Sequence, residues 1–113
     1  MSARHALILA CVAAALASAA PAGAHPAANR PCGRFTDRDG TRIGAVVMRG
    51  NVECATARRV LRAYLRSDAP CDGSACVRRH YAWTCATAIS ADWPRLASCT
   101  RGKTRIGAYA PAD

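Results

Sequence analysis

Acidic residues are scarce in this 113-residue chain. Glu53 is the single glutamate, and the six aspartates include no pair spaced so that one helix or strand would aim both carboxylates at one site. Ser74 lies in Asp-Gly-Ser-Ala, which lacks the pattern of a nucleophile elbow. His80 follows two arginines, which disfavour its charged form and therefore weaken it as a lone base. The sequence therefore predicts no catalytic residue and no enzyme activity.

Metal-binding spacing is missing as well. Six cysteines follow residue 24, but they form no Cys-x-x-Cys knuckle, and His80 is the only histidine near them. We therefore expect no metal site and no cofactor. An even number of cysteines in a short exported chain is typical of three disulfides; the six are Cys32, Cys54, Cys71, Cys76, Cys85 and Cys99.

The spacing of the cysteines favours one set of pairs among the 15 that six cysteines permit. Cys71 and Cys76 are near enough in sequence to close a small ring. Cys54 and Cys85 both fall on stripes expected to face the core, so we expect a Cys54–Cys85 bridge, which leaves Cys32–Cys99 as the third. In the loop-entropy treatment a short ring stabilises by about 2 kcal/mol and a long bridge by nearly 4 kcal/mol.

No apolar run is long enough to span a membrane, since spanning needs about 20 residues. The longest run, Ala6 to Ala20, has fifteen residues and is followed by Pro21 and by Ala22-Gly23-Ala24. This layout is typical of a secretory signal peptide over residues 1–24, with Cys11 inside it. Residues 25–31 are polar and contain proline, which predicts a flexible leader. Residues 32–113 would then form one secreted, extracellular domain.

Apolar patterns and turn residues predict one helix and four strands in that domain. The helix is expected over residues 54–66, because its apolar residues recur at helical spacing; they are Ala57, Val60, Leu61, Tyr64 and Leu65. The strands are expected in residues 41–48, 81–85, 96–100 and 104–109, with an irregular loop over 67–79. Tyr81 and Trp83 alternate with small residues, so we expect both in the core.

This β-α-β-β-β order predicts an α+β fold. One amphipathic helix would pack on a small antiparallel sheet stabilised by disulfides, with the other sheet face, including Arg42, Thr84 and Thr100, in contact with water.

Positive charge is abundant where negative charge is scarce. The net charge is +9, and 15 of the 16 basic residues are arginine. Four arginines fall in one arc of the predicted helix, opposite its apolar stripe, and two more follow the disulfide loop; they are Arg58, Arg59, Arg62, Arg66, Arg78 and Arg79. Such a surface suits an anionic wall polymer, lipid headgroups or an acidic protein. The alternative is a solvated helix face whose arginines reflect a GC-rich genome.

Several short patterns resemble small secreted actinobacterial proteins of unknown function. They are Cys54-Ala-Thr-Ala-Arg-Arg-Val60 at the helix start, Trp83-Thr-Cys85 in a strand and Cys99-Thr-Arg-Gly102 in the last hairpin. The likeness covers roughly residues 41–109. It departs at Glu53, where a capping serine or threonine is usual, and at the Cys71–Cys76 loop. The resemblance implies the same fold and export, and it implies no activity or ligand.

The sequence therefore predicts a secreted, non-enzymatic binding module that engages an anionic envelope component or extracellular partner through its basic helix face. One alternative is a secreted inhibitor or effector that uses the Cys71–Cys76 loop and Trp93, an aromatic residue expected to be exposed in a loop. Another is a cationic antimicrobial or membrane-active protein. Nucleic acid is not expected as a partner, because the chain is expected to be exported, and the sequence does not identify the partner itself.

Overall fold

A computed structural model describes residues 29–111. The expected signal peptide, residues 1–24, and the first four residues of the expected leader lie outside this range. The described residues form one α-helix and six strands, in the order β1 (Arg30–Thr36), β2 (Arg42–Arg49), α1 (Cys54–Arg66), β3 (Arg78–His80), β4 (Trp83–Thr87), β5 (Arg95–Arg101) and β6 (Thr104–Tyr109). A short 3-10 helix, Ser90–Asp92, lies between β4 and β5.

The six strands form one antiparallel sheet in the order β1-β2-β6-β5-β4-β3. The helix packs on one face of this sheet, and its buried residues Ala57, Val60, Leu61 and Tyr64 complete the core. The expected α+β class, with a helix on an antiparallel disulfide-stabilised sheet, is therefore confirmed.

The helix has the bounds that periodicity predicts, because the apolar stripe leaves no ambiguity about which face is buried. Glu53 occupies the N-cap position in an extended conformation and makes no side-chain capping bond. Its backbone carbonyl accepts the first helical hydrogen bond, from the Ala57 N–H, at 3.0 Å. The helix therefore depends on burial of its apolar stripe more than on its N-terminal side chain.

Strand β1 is one of two strands that the sequence pattern does not predict. It begins at Arg30, two residues inside the expected flexible leader, and pairs with β2 along its length, with Phe35 opposite Ile43. The pairing register shifts between Pro31 and Arg34, where Gly33 has a φ of +81°. This bulge and the proline interrupt the apolar alternation by which a strand is recognised.

Strand β3 is the second addition, and it lies inside the segment expected to be an irregular loop. Its three residues pair with the start of β4, with His80 opposite Trp83. Tyr81 and Ala82 therefore form the turn of a hairpin, and β4 begins at Trp83. Trp83 is buried as expected, but the core position expected for Tyr81 is wrong, since 58% of that residue is exposed.

The three disulfides correct two of the three expected pairs. Cys71 bonds to Cys76, as spacing predicts. The expected Cys54–Cys85 and Cys32–Cys99 bridges are wrong, because the structure joins Cys32 to Cys54 and Cys85 to Cys99. Cys32 lies on the unpredicted strand β1, beside the start of α1. Cys85 and Cys99 lie directly opposite each other in the register of β4 and β5.

Candidate functional site

Two of the helix arginines bind the edge strand β1. The Arg58 guanidinium is half-buried, and its Nη1 donates to the Cys32 carbonyl at 2.6 Å. Arg66 donates from Nε to the Thr36 carbonyl at 3.1 Å and from Nη2 to the Thr36 hydroxyl at 2.9 Å. These contacts hold α1 against β1, so both side chains have a structural role that the sequence did not indicate.

Arg59 and Arg62 are the two exposed helix arginines that make no hydrogen bond to β1, since Arg66 is also exposed but is bonded to Thr36. They are three residues apart, which places them side by side on the helix surface. The Arg59 guanidinium lies 4.9 Å from the centre of the Tyr81 ring, a cation–π contact. Within residues 29–111, Arg62 makes no side-chain hydrogen bond or ion pair. The expected basic face is therefore centred on these two arginines.

Arg78 and Arg79 do not form one cluster, because neighbouring residues of a strand point to opposite faces of the sheet. Arg78 lies opposite the buried Cys85 and faces the helix. Its Nη1 donates to the Ser67 carbonyl at 2.9 Å, and its guanidinium lies 5.5 Å from the Tyr64 ring centre. Arg79 lies opposite the exposed Thr84, on the face away from the helix.

Arg78 therefore stabilises the C-terminal end of α1, where a positive charge complements the helix dipole. Arg79 belongs to a different surface from the helix arginines. Neither residue adds to the basic face expected from the sequence.

The basic face keeps its charge although two of its members are hydrogen-bonded. Arg58 and Arg66 donate to neutral carbonyl and hydroxyl oxygens, which satisfy N–H groups without cancelling the positive charge. Two ion pairs are found in residues 29–111, and neither includes a helix arginine. Arg38–Asp68 lies just beyond the C-terminal end of α1, where Arg38 also donates to the Arg66 carbonyl at 3.2 Å, and Arg95–Asp92 lies at the start of β5. One helix therefore carries four guanidinium charges with no carboxylate bound to any of them in the described part of the chain.

The hairpin that carries Tyr81 has an uncommon backbone. Tyr81 has a φ of +51° and Ala82 a φ of +67°, so both turn residues occupy the left-handed region. Two-residue hairpin turns of this kind strongly prefer asparagine and glycine. Neither residue type occurs in this turn, so the sequence gives no indication of a hairpin at Tyr81 and Ala82. The result is an aromatic ring at a hairpin tip, in contact with the helix surface.

A second exposed surface lies at the opposite end of β4, around Trp93. That residue is 68% exposed, as expected, and Ile89, which the sequence did not single out, is 67% exposed. The Thr87 N–H donates to the Ala75 carbonyl at 2.7 Å and so joins this loop to the Cys71–Cys76 loop. Buried Tyr64 donates to the Cys76 carbonyl at 2.7 Å. The structure thus brings Trp93 and the disulfide loop to the same end of the sheet.

No cavity is found in residues 29–111, and no group of three potential metal ligands occurs there. Within the same range, no helix has the length and apolar character that crossing a membrane requires. No family model, curated protein or solved structure matches this chain.

Proposed function

We propose that this protein is an exported, non-enzymatic binding module that engages an anionic component of the cell envelope. Arg59 and Arg62 would make the direct contacts, while Arg58 and Arg66 would add to the local positive potential. Export is supported by the signal-like residues 1–24 and by three disulfides, which are typical of oxidising compartments. The motif likeness to small secreted actinobacterial proteins is part of the same proposal.

The proposal rests on the absence of a neutralising carboxylate along one helix face of the described chain. Arginines four residues apart repel each other mildly on a helix, and an ordinary surface relieves this with interspersed acidic residues. Arg58, Arg62 and Arg66 follow this spacing without such relief. An anionic ligand would supply the missing charge, and guanidinium groups bind carboxylate and phosphate with paired hydrogen bonds.

The experiment compares two double variants with the same change in net charge. Arg59→Gln/Arg62→Gln removes the two exposed helix charges that are not bonded to β1, and Arg34→Gln/Arg101→Gln removes two exposed arginines elsewhere. On a heparin column, we expect the first variant to elute at clearly lower salt than the wild type and the second to elute close to it. Equal elution of the two variants would show that only net charge matters and would contradict the proposed face.

A second candidate function is supported by the surface around Trp93. An exposed aromatic residue at the same end of the sheet as a disulfide-closed loop resembles the preorganised contacts of protein inhibitors and effectors. In co-precipitation from culture and envelope fractions, a protein retained by the wild type in about 1 M salt, but lost with Trp93→Ser, would favour this candidate. Loss with Arg59→Gln/Arg62→Gln instead would favour the anionic partner.

Membrane activity is a third possibility, because a strongly basic protein is drawn to anionic lipid. Dye release from phosphatidylglycerol vesicles at micromolar protein would support it. Retained dye would exclude it and leave the two binding functions.

A further inference from the structure

Tyr81 occupies a backbone conformation that its side chain disfavours. A positive φ brings the Cβ atom of an ordinary residue too close to its own backbone, and Tyr81 and Ala82 both adopt one, at +51° and +67°. Asparagine or glycine would remove much of this strain without altering the two-residue turn between His80 and Trp83. Strained residues of this kind cluster at functional sites.

The ring of Tyr81 gains little from burial in return for this strain. It is 58% exposed, and the Arg59 guanidinium covers one side of the ring at 4.9 Å. With more than half of the residue in water and one face covered, the other face is open. The hairpin therefore presents a free aromatic face beside the two exposed guanidinium groups of Arg59 and Arg62.

We propose that Tyr81, Arg59 and Arg62 form a binding site for an anionic polysaccharide. The open face of Tyr81 would pack against the C–H groups of a sugar ring, and the two guanidinium groups would bind carboxylate or phosphate groups on the same chain. This inference rests on the proposed function and narrows its ligand to a charged polymer that carries sugar rings.

A lipid surface fits this site less well. Interfacial binding needs several neighbouring apolar side chains to enter the acyl region. The exposed apolar residues Ile89 and Trp93 lie beyond the far end of β4, on the opposite side of a five-residue strand from Tyr81. At the hairpin tip a single aromatic ring stands among arginines, which suits a charged ring-containing chain better than a bilayer.

Three variants distinguish the effect of the Tyr81 ring from the effect of the backbone strain. Tyr81→Asn removes the ring and relieves the turn, Tyr81→Phe keeps the ring, and Ala82→Gly relieves the neighbouring position while leaving Tyr81 in place. We expect Tyr81→Asn to keep or raise Tm and yet to weaken binding to polygalacturonate by about fivefold. Ala82→Gly should raise Tm without changing affinity, and Tyr81→Phe should bind as the wild type does.

Polyphosphate distinguishes this inference from the proposed function, because it is anionic but has no sugar ring. Tyr81→Asn should bind polyphosphate as tightly as the wild type, while Arg59→Gln/Arg62→Gln should lose affinity for both polymers. If Tyr81→Asn leaves the affinity for polygalacturonate unchanged while the double variant still weakens it, this inference fails and the proposed function stands. If neither polymer binds, both fail.

Polyglutamate provides the remaining comparison. If polyglutamate binds as tightly as polygalacturonate, and Tyr81→Asn weakens both affinities equally, the site is one for an acidic protein and the polysaccharide proposal is overturned. Weaker binding that does not depend on Tyr81 supports the proposal.

Discussion

The fold perturbs the titration of His80. Burial lowers the pKa of His80 below its ordinary value, and the positive charge of Arg78 lowers it further. Its ring packs edge-on against Tyr64, with centroids 5.9 Å apart, and its Nε2 has no hydrogen-bond partner among the described residues. The folded protein therefore favours the neutral form, as is usual for a partly buried imidazole beside a cation.

This shift predicts a loss of stability in mild acid. Above the unfolded-state pKa, about 6.5, His80 is neutral in both states and adds no pH dependence. As the pH falls below that value, the unfolded chain takes up the proton first, so the free energy of unfolding decreases until the lower folded-state pKa is passed.

Urea unfolding between about pH 7 and 5.5 measures this dependence around the unperturbed histidine value. We expect the wild type to lose stability over this range, and His80→Phe, which keeps an aromatic ring against Tyr64, to lose less. If the free energy of unfolding falls equally with pH in the two proteins, His80 does not cause the pH dependence.

Among the elements, β2 and β6 approach each other closely where β2 ends. Gly50 follows β2 with a φ of +82°, and a Cβ atom there would lie 2.6 Å from the Thr104 Oγ1 and 2.9 Å from the Thr104 Cα. Because one of these atoms is backbone at the start of β6, the clash cannot be relieved by rotating a side chain. Gly40 has nearly the same φ, +83°, but a Cβ atom added there would have no neighbouring atom within 4 Å.

These two glycines make a matched pair for mutation. Gly40→Ala introduces only backbone strain, so we expect it to reduce the free energy of unfolding by about 1 kcal/mol. Gly50→Ala adds the collision between strands and should cost about 2–4 kcal/mol. Chemical denaturation of both variants measures the difference. Equal losses would contradict the close approach of β2 and β6.

The sequence predicts the elements whose apolar pattern is regular and misses those whose pattern is interrupted. The helix follows from its apolar periodicity, β2 from an apolar run bounded by glycines, and β5 and β6 from the glycine-containing loop that joins them. Strand β1 is hidden by Pro31 and Gly33, and β3 is a three-residue strand that ends in a Tyr-Ala turn. Missing β1 also misplaces Cys32, so the expected disulfide partners follow from an incomplete sheet.

The basic face was predictable as a helical arc, but the separate roles of its arginines were not. Spacing places Arg58, Arg59, Arg62 and Arg66 on the same helix without showing that β1 lies within reach of two of them. Arg78 and Arg79 lie on opposite faces of the sheet because they are neighbours in β3, a strand that the sequence pattern does not predict. Tyr81 was expected in the core, since its alternation with Trp83 imitates a strand. In each case long-range pairing decides the outcome.

For the whole molecule, the disulfides compensate for a small core. The bridges close loops with sequence separations of 22, 14 and 5 residues. In the loop-entropy treatment these correspond to about 3, 3 and 2 kcal/mol of stabilisation. Cys32–Cys54 fastens β1 to the helix, Cys85–Cys99 fastens β4 to β5, and Cys71–Cys76 shapes its own loop. The scaffold can therefore tolerate a basic face without internal neutralisation.

Arg59 and Arg62 are proposed to contact an anionic polymer, and the salt dependence of the protein's affinity for that polymer tests this most directly. Titration with heparin at several salt concentrations gives the slope of log Kd against log salt, which reports the number of charge contacts. We expect Arg59→Gln/Arg62→Gln to reduce the magnitude of this slope by about two, and Arg34→Gln/Arg101→Gln to leave it close to the wild-type value. A slope that the helix variant leaves unchanged would contradict the claim.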